Sequence, residues 1–194
     1  EAGVALHAGE LTLGLVPPRH LGWHIREAVM VAGADRIGHG IDISHDEQMY
    51  ETLAYMAKNK IAVEINLTSN EVILGVKDED HPFTTYMSHG VPLTISTDDE
   101  GVSRIDLTNE YYRLVRTYDV DYATLVSLSR NSLQYSFLPG ATLFEDTHTG
   151  LKTDDCRHIA DSKAVKFRDS CAKFLSSSPK ASLQWKLCLL YTSD

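Results

Sequence analysis

The sequence predicts an α/β chain of alternating parallel strands and helices, forming the C-terminal half of a (β/α)8 TIM barrel followed by C-terminal helices. Three observations carry that expectation. Apolar, strand-like runs at residues 4–6, 36–38, 61–65 and 91–95 recur at the spacing of a βα unit. Segments with helical periodicity lie between them. The chain has 194 residues, whereas a complete barrel takes about 250, so four units amount to half of one.

The helices follow in order. Residues 20–32 place Leu21, Ile25, Ala28, Val29 and Ala32 on one side, with Gly33 set to end the helix. Residues 46–59 carry Met49, Leu53, Met56 and Ala57 at helical spacing, behind a capping box predicted from Ser44 and Glu47. Shorter or later helices are predicted at residues 81–89, 107–117, 122–137, the last capped by Asp121, and 155–174. The expected organisation is a partial barrel domain over residues 1–150, a C-terminal helix over 151–174, and a tail over 175–194. The tail opens Ser-rich and ends in a short apolar run far below membrane-span length, so it is placed outside the domain.

Composition narrows the function classes. A net charge of −9 with scattered Lys and Arg leaves no electrostatic footprint for a phosphate backbone or an anionic membrane, so neither nucleic acid nor a membrane is the expected partner. The three cysteines, Cys156, Cys171 and Cys188, have neither the even count nor the tight spacing of a disulfide framework or a CxxC zinc site. Free thiols and a reducing compartment, the cytoplasm above all, are the expectation. The chain starts without Met, almost inside a strand, and an upstream portion is expected.

Ionisable residues cluster where strands end. His7 and Glu10 follow the first run, His39 the second, Ser69 and Asn70 lie beyond the third, and Asp98 and Asp99 follow the fourth. In a βα barrel these ends converge on one face. Imidazole and carboxylate together suit a divalent metal such as zinc, with a neighbouring acid or base working on the attacking water. Structural roles compete: His39 between Gly38 and Gly40 also fits a turn, Asp98–Asp99 a solvated turn or helix cap, and Glu64 a structural ion pair. His20, His24, His45, His81 and His89 lie on or near helices and read as surface or capping residues.

The segments VALHAGE, RIGHGI, EINLTSN, HPF and LTISTDD stand in the order and at the spacing of the adenosine deaminase family, which the chain resembles from Val4 to about Phe137. The resemblance implies a (β/α)8 barrel that binds one zinc ion and hydrolyses adenosine to inosine and ammonia. It implies His7 and Asp98 as zinc ligands, Gly9 as a backbone contact to the purine, and Glu10 as the acid that protonates the ring nitrogen beside the attacked carbon. His39 would position and deprotonate the attacking water, Asp98 would also accept a hydrogen bond from it, and Asp99 would accept one from the purine's imidazole side. The chain departs from the family in three places: it contains no His-x-His pair to supply two further ligands, Glu100 stands where Pro usually follows the Asp pair, and no Cys-Pro precedes Thr68–Ser69.

A deaminase acting on adenine, AMP or a modified nucleoside, and a noncatalytic barrel that binds a nucleoside or a partner, are the alternative readings. A cytidine-deaminase-type site is disfavoured because no P-C-x-x-C signature occurs. Four strands by themselves leave two sheet edges open, and the chain alone, a fragment lacking the N-terminal zinc ligands that the resemblance implies, is expected to be inactive and to self-associate.

Overall fold

The computed structural model describes residues 3–159 and 169–191. It divides into two compact units, residues 1–121 and 122–194. The first is built on strands β1 (Ala5–Ala8), β2 (Arg36–His39), β3 (Ala62–Ile65) and β4 (Leu93–Ile95), which pair in parallel in the order β1-β2-β3-β4. The register aligns Ala8 with His39, Gly38 with Glu64, and Ile65 with Ile95. Helices α1 (His24–Met30), α2 (Met49–Asn59), α3 (Leu67–Leu74) and α4 (Phe83–Ser88) lie between consecutive strands, and α5 (Glu100–Ser103) and α6 (Leu107–Tyr118) follow β4. A sheet of this kind is covered on its faces, so its strands read as continuous apolar runs. Ile37, Val63 and Ile65 are fully buried, as are Leu53 and Met56 of α2 and Phe83 and Tyr86 of α4.

All four expected strands form, each within two residues of its predicted bounds, as short runs with apolar residues bounded by turns. Helix starts differ more. The segment expected to be helical over 20–32 gives a 3-10 turn at Pro18–His20 and then α1 from His24. Its end falls as expected: with Gly33 at φ +70°, the Ala34 amide donates to Ala28 O. The capping box of Ser44 and Glu47 does not form. Ser44 is held inside a 3-10 turn over Ile41–His45, α2 starts after Gln48 with no side-chain cap, and Asp46 ties down the turn before it, its Oδ1 accepting from the Gln48 amide at 2.7 Å and its Oδ2 from Thr52 Oγ1 at 2.8 Å.

The second unit departs from the predicted domain plan. It contains α7 (Tyr122–Gln134), an antiparallel hairpin of β5 (Phe144–Asp146) and β6 (Leu151–Lys152), α8 (Asp169–Ser177) and α9 (Pro179–Tyr191). The helix expected over 155–174 is a turn through residues 154–158, lies outside the described residues over 160–168, and becomes helical at Asp169. Residues 175–191, expected to lie outside the domain, continue α8 and form α9, where Ala181, Trp185 and Cys188 join Leu143, Phe144 and Cys171 in one buried cluster. Gln184 is fully buried, and its Oε1 accepts from the Leu143 amide at 2.7 Å.

Cys156 and Cys171 are disulfide-bonded, with Cα atoms 4.9 Å apart, which corrects the expectation of free thiols. The 154–158 turn and the first turn of α8 bring the two together, and a separation of 15 residues carries no trace of that in sequence. The bond removes the ground for expecting a reducing compartment. Among the described residues, no helix is long and apolar enough to cross a membrane.

Candidate active site

The C-terminal ends of the four strands hold the cluster. His7 lies at the end of β1, His39 closes β2, and Asp98 stands three residues past β4. Ligand-capable atoms of His7, His39 and Asp98 all lie within 4.8 Å of one another. Glu10 Oε2 is 3.5 Å from His39 Nε2, and Asp98 Oδ2 is 4.0 Å from the same nitrogen. The sequence-predicted residues His7, Glu10, His39 and Asp98 are therefore one site. Gly9 lies between two of them, with its carbonyl accepting from the Ile41 and Asp42 amides at 2.8 and 3.0 Å. Asp99 is exposed at the start of α5, next to Asp98 in the chain.

Local backbone shape explains the glycines. Gly9 has φ +71°, and a Cβ there would lie 2.8 Å from Ile25 and collide with the Asp42 carboxylate, so only glycine lets this loop close on α1. At Gly38, a Cβ would lie 2.8 Å from His7 Cδ2, which shows that the imidazole packs directly on the β2 backbone. His39 at φ +72° and Asp98 at φ +54° adopt left-handed backbone conformations that non-glycine residues seldom take. Strain of this kind concentrates at functional sites.

Partners within the first unit orient these groups. Ser69 Oγ donates to Asp98 Oδ2 at 2.6 Å. On the far side of the His39 ring, Nδ1 meets Asn70 Nδ2 at 3.0 Å and Asn66 Nδ2 at 3.2 Å. Burial holds the His39 imidazole below its usual pKa, against the attraction of Glu10 and Asp98, which favour the cation. Glu64, a structural candidate from sequence, pairs with Arg36, its Oε1 2.7 Å from Nε.

Three participants escaped the sequence reading. His81, expected at a helix surface, is 1% exposed and reaches Asn70 Oδ1 through Nε2 at 3.2 Å. Asn66 escaped because nothing in the spacing distinguishes it from a loop residue. Asp42 is buried under the Gly9 loop with Oδ2 3.6 Å from His24 Nδ1, and burial together with nearby Asp46 pushes its carboxyl up to about 7. The available signal for His81 was its place in the HPF segment, and for Asp42 its position three residues past His39. A cavity of about 270 Å³ is walled by His7, Gly9, Glu10, Leu11, His24 and Ala28.

Four parallel βα units with a His, His, Asp cluster past the strand C-termini are consistent with part of a βα barrel, and the cluster has the donors to hold a metal ion. Residues 1–144 match the family model for adenosine deaminase. The chain belongs to the adenosine deaminase family. It is 37% identical over 113 residues to an adenosine deaminase of Shewanella loihica, covering 58% of this chain and 33% of that protein. It is 35% identical over 136 residues to an adenosine deaminase of Clostridium perfringens, covering 69% of this chain and 37% of that protein. The match thus spans little more than a third of the length of these curated relatives. Among solved structures, the apo N6-methyl-AMP deaminase of Arabidopsis thaliana aligns with a TM-score of 0.56 at 28% identity, over 71% of this chain and 37% of that one. The adenine deaminase of Arthrobacter aurescens aligns with a TM-score of 0.57 at 23% identity, over 70% and 38%, a likeness of fold.

Proposed function

We propose that the protein hydrolytically deaminates adenosine to inosine and ammonia with the aid of zinc. The observation that carries this reading is the convergence of His7, His39 and Asp98 within 4.8 Å, with Glu10 beside His39. Family membership and the adenosine deaminase relatives support it.

The donor set fits zinc, for which imidazole and carboxylate are ordinary ligands. His7 and Asp98 would hold the ion, with further ligands coming from outside these residues. A zinc ion in such a site lowers the pKa of water toward neutrality and so supplies a nucleophile. The remaining tasks fall to protein groups. Ser69 fixes the Asp98 carboxylate through the 2.6 Å hydrogen bond. His39, held at the end of β2 with partners on both ring nitrogens, orients the attacking water. Glu10 protonates the ring nitrogen next to the carbon under attack, which relieves the negative charge that develops on the purine. The Gly9 backbone and Asp99 contact the purine.

The test, made in a protein that also supplies those further ligands, is Glu10→Gln, which keeps the side chain's size and removes its acid. Inosine formation is expected to fall by a factor of about 10² to 10⁴ while zinc content stays the same. Near-normal turnover would remove Glu10 from this role. The similarity to an N6-methyl-AMP deaminase favours one second reading, a phosphorylated or N6-modified substrate. Product analysis with adenosine, AMP, N6-methyl-AMP and adenine separates the two.

A further inference from the structure

The two nitrogens of His39 face different chemistry, and the difference can be followed back to a backbone amide. The Phe83 N–H can only donate, and it lies 3.2 Å from His81 Nδ1, so that nitrogen carries a lone pair. His81 is buried, with its pKa pushed down to about 4, first by burial and then by Arg113 and His39, so it is neutral near pH 7. A neutral imidazole with a lone pair on Nδ1 carries its proton on Nε2. His81 Nε2 therefore donates to Asn70 Oδ1 at 3.2 Å. With Oδ1 committed, the amide of Asn70 turns Nδ2 toward His39 and donates to His39 Nδ1 at 3.0 Å. Asn66 Nδ2 approaches the same atom at 3.2 Å. His39 Nδ1 is thus an acceptor.

The opposite side of the ring agrees independently. His39 Nε2 faces Glu10 Oε2 at 3.5 Å and Asp98 Oδ2 at 4.0 Å. A lone pair aimed at two carboxylates would be repelled, whereas an N–H is attracted to both.

We propose that the Phe83 amide, His81 and Asn70 form a hydrogen-bond relay that fixes His39 as its Nε2-protonated tautomer, so that His39 serves the site as a donor and not as a metal ligand or base at Nε2. Asn70 and His81 are then positioning residues, removed from the attacking water by one side chain and by two. The relay rests on the active-site reading above and adds a division of labour to it. A donor at Nε2 holds the attacking oxygen in place. The proton released when that water attacks passes to the Asp98 carboxylate, an acceptor, and forms an O–H bond there.

The experiment is two-bond ¹H–¹⁵N correlation on the ¹⁵N-histidine-labelled protein, with and without zinc. His39 and His81 are both expected as Nε2–H tautomers, and His39 is expected to remain one when zinc is added. A wild-type His39 protonated at Nδ1, or zinc bonded to His39 Nε2, would overturn the relay. Asn70→Asp keeps the size of the side chain and makes it acceptor-only, so it draws a proton to His39 Nδ1 and shifts the tautomer ratio by at least about tenfold. An unshifted ratio would also overturn the relay, and the wild-type spectrum decides the matter even where that variant does not fold. In turnover, Asn70→Asp is expected to lower kcat about 100-fold with KM changed less than about twofold. A protein with the stated tautomers and the further zinc ligands in place that forms no inosine would refute the deaminase reading and leave the relay standing.

Discussion

Gly38→Ala gives a direct test of how the β2 backbone positions His7. The added Cβ would stand 2.8 Å from His7 Cδ2, 3.5 Å from His7 Nε2 and 3.6 Å from Glu64 Oε2. Because Gly38 is not among the positive-φ glycines, the backbone accepts alanine, and the conflict is confined to the imidazole. Moving from 2.8 Å to an ordinary contact of 3.4 Å means that the ring retreats from the β2 backbone by about 0.6 Å.

Two terms of opposite sign act on stability. Overpacking costs about 1–3 kcal/mol. Restricting the unfolded chain by replacing glycine contributes about 0.4–1 kcal/mol in the other direction. Net destabilisation should therefore be modest, at most about 2–3 kcal/mol, because the ring is partly solvent-exposed and free to tilt. Metal binding should suffer more: disturbing the support of a ligand typically lowers affinity about 10- to 100-fold. Zinc affinity is read by competition with a chromophoric chelator, and folding by thermal unfolding without metal. Gly101→Ala is the control, since a Cβ there meets nothing within 4 Å. Unchanged zinc affinity in a folded Gly38→Ala protein would refute the placement of His7 as a ligand packed on β2.

Asp42, with its carboxyl raised to about 7, is protonated in the folded state over a range where the unfolded chain has lost that proton, so its contribution to stability falls as pH rises from about 4 to 7. Asp42→Asn should accordingly raise the melting temperature at pH 8 and change it little at pH 4; the same shift at both values would contradict the assignment. Reduction of the Cys156–Cys171 bond, which closes a loop of 15 residues, should destabilise the second unit by about 3 kcal/mol. A melting curve indifferent to reductant would count against it. Within the four-stranded sheet, β1 and β4 each have one strand neighbour, and the 194-residue chain expressed by itself should self-associate through these edges. Sedimentation showing a stable monomer would refute that.

The sequence by itself determined the four parallel strands and that His7, Glu10, His39 and Asp98 gather at one end of the sheet. Both followed from local signals: a buried parallel strand needs a continuous apolar run, and a run that ends in His or Asp places that residue at the strand's C-terminal end whatever the rest of the chain does. Gly33 announced its helix end for the same local reason. What only the tertiary structure decided depends on partners distant in sequence. Ser44 does not cap α2 because the Ile41–His45 turn holds it and the helix starts only after Gln48. Residues 175–191 became core because α9 lays Trp185 and Cys188 against Leu143 and Phe144, an apolar surface that a Ser-rich opening does not advertise. The disulfide needed two turns to meet. His81 entered the site only because the turn before α4 brings it within 3.2 Å of Asn70 on α3, and no periodicity in the chain encodes a hydrogen bond between side chains of a turn and a separate helix.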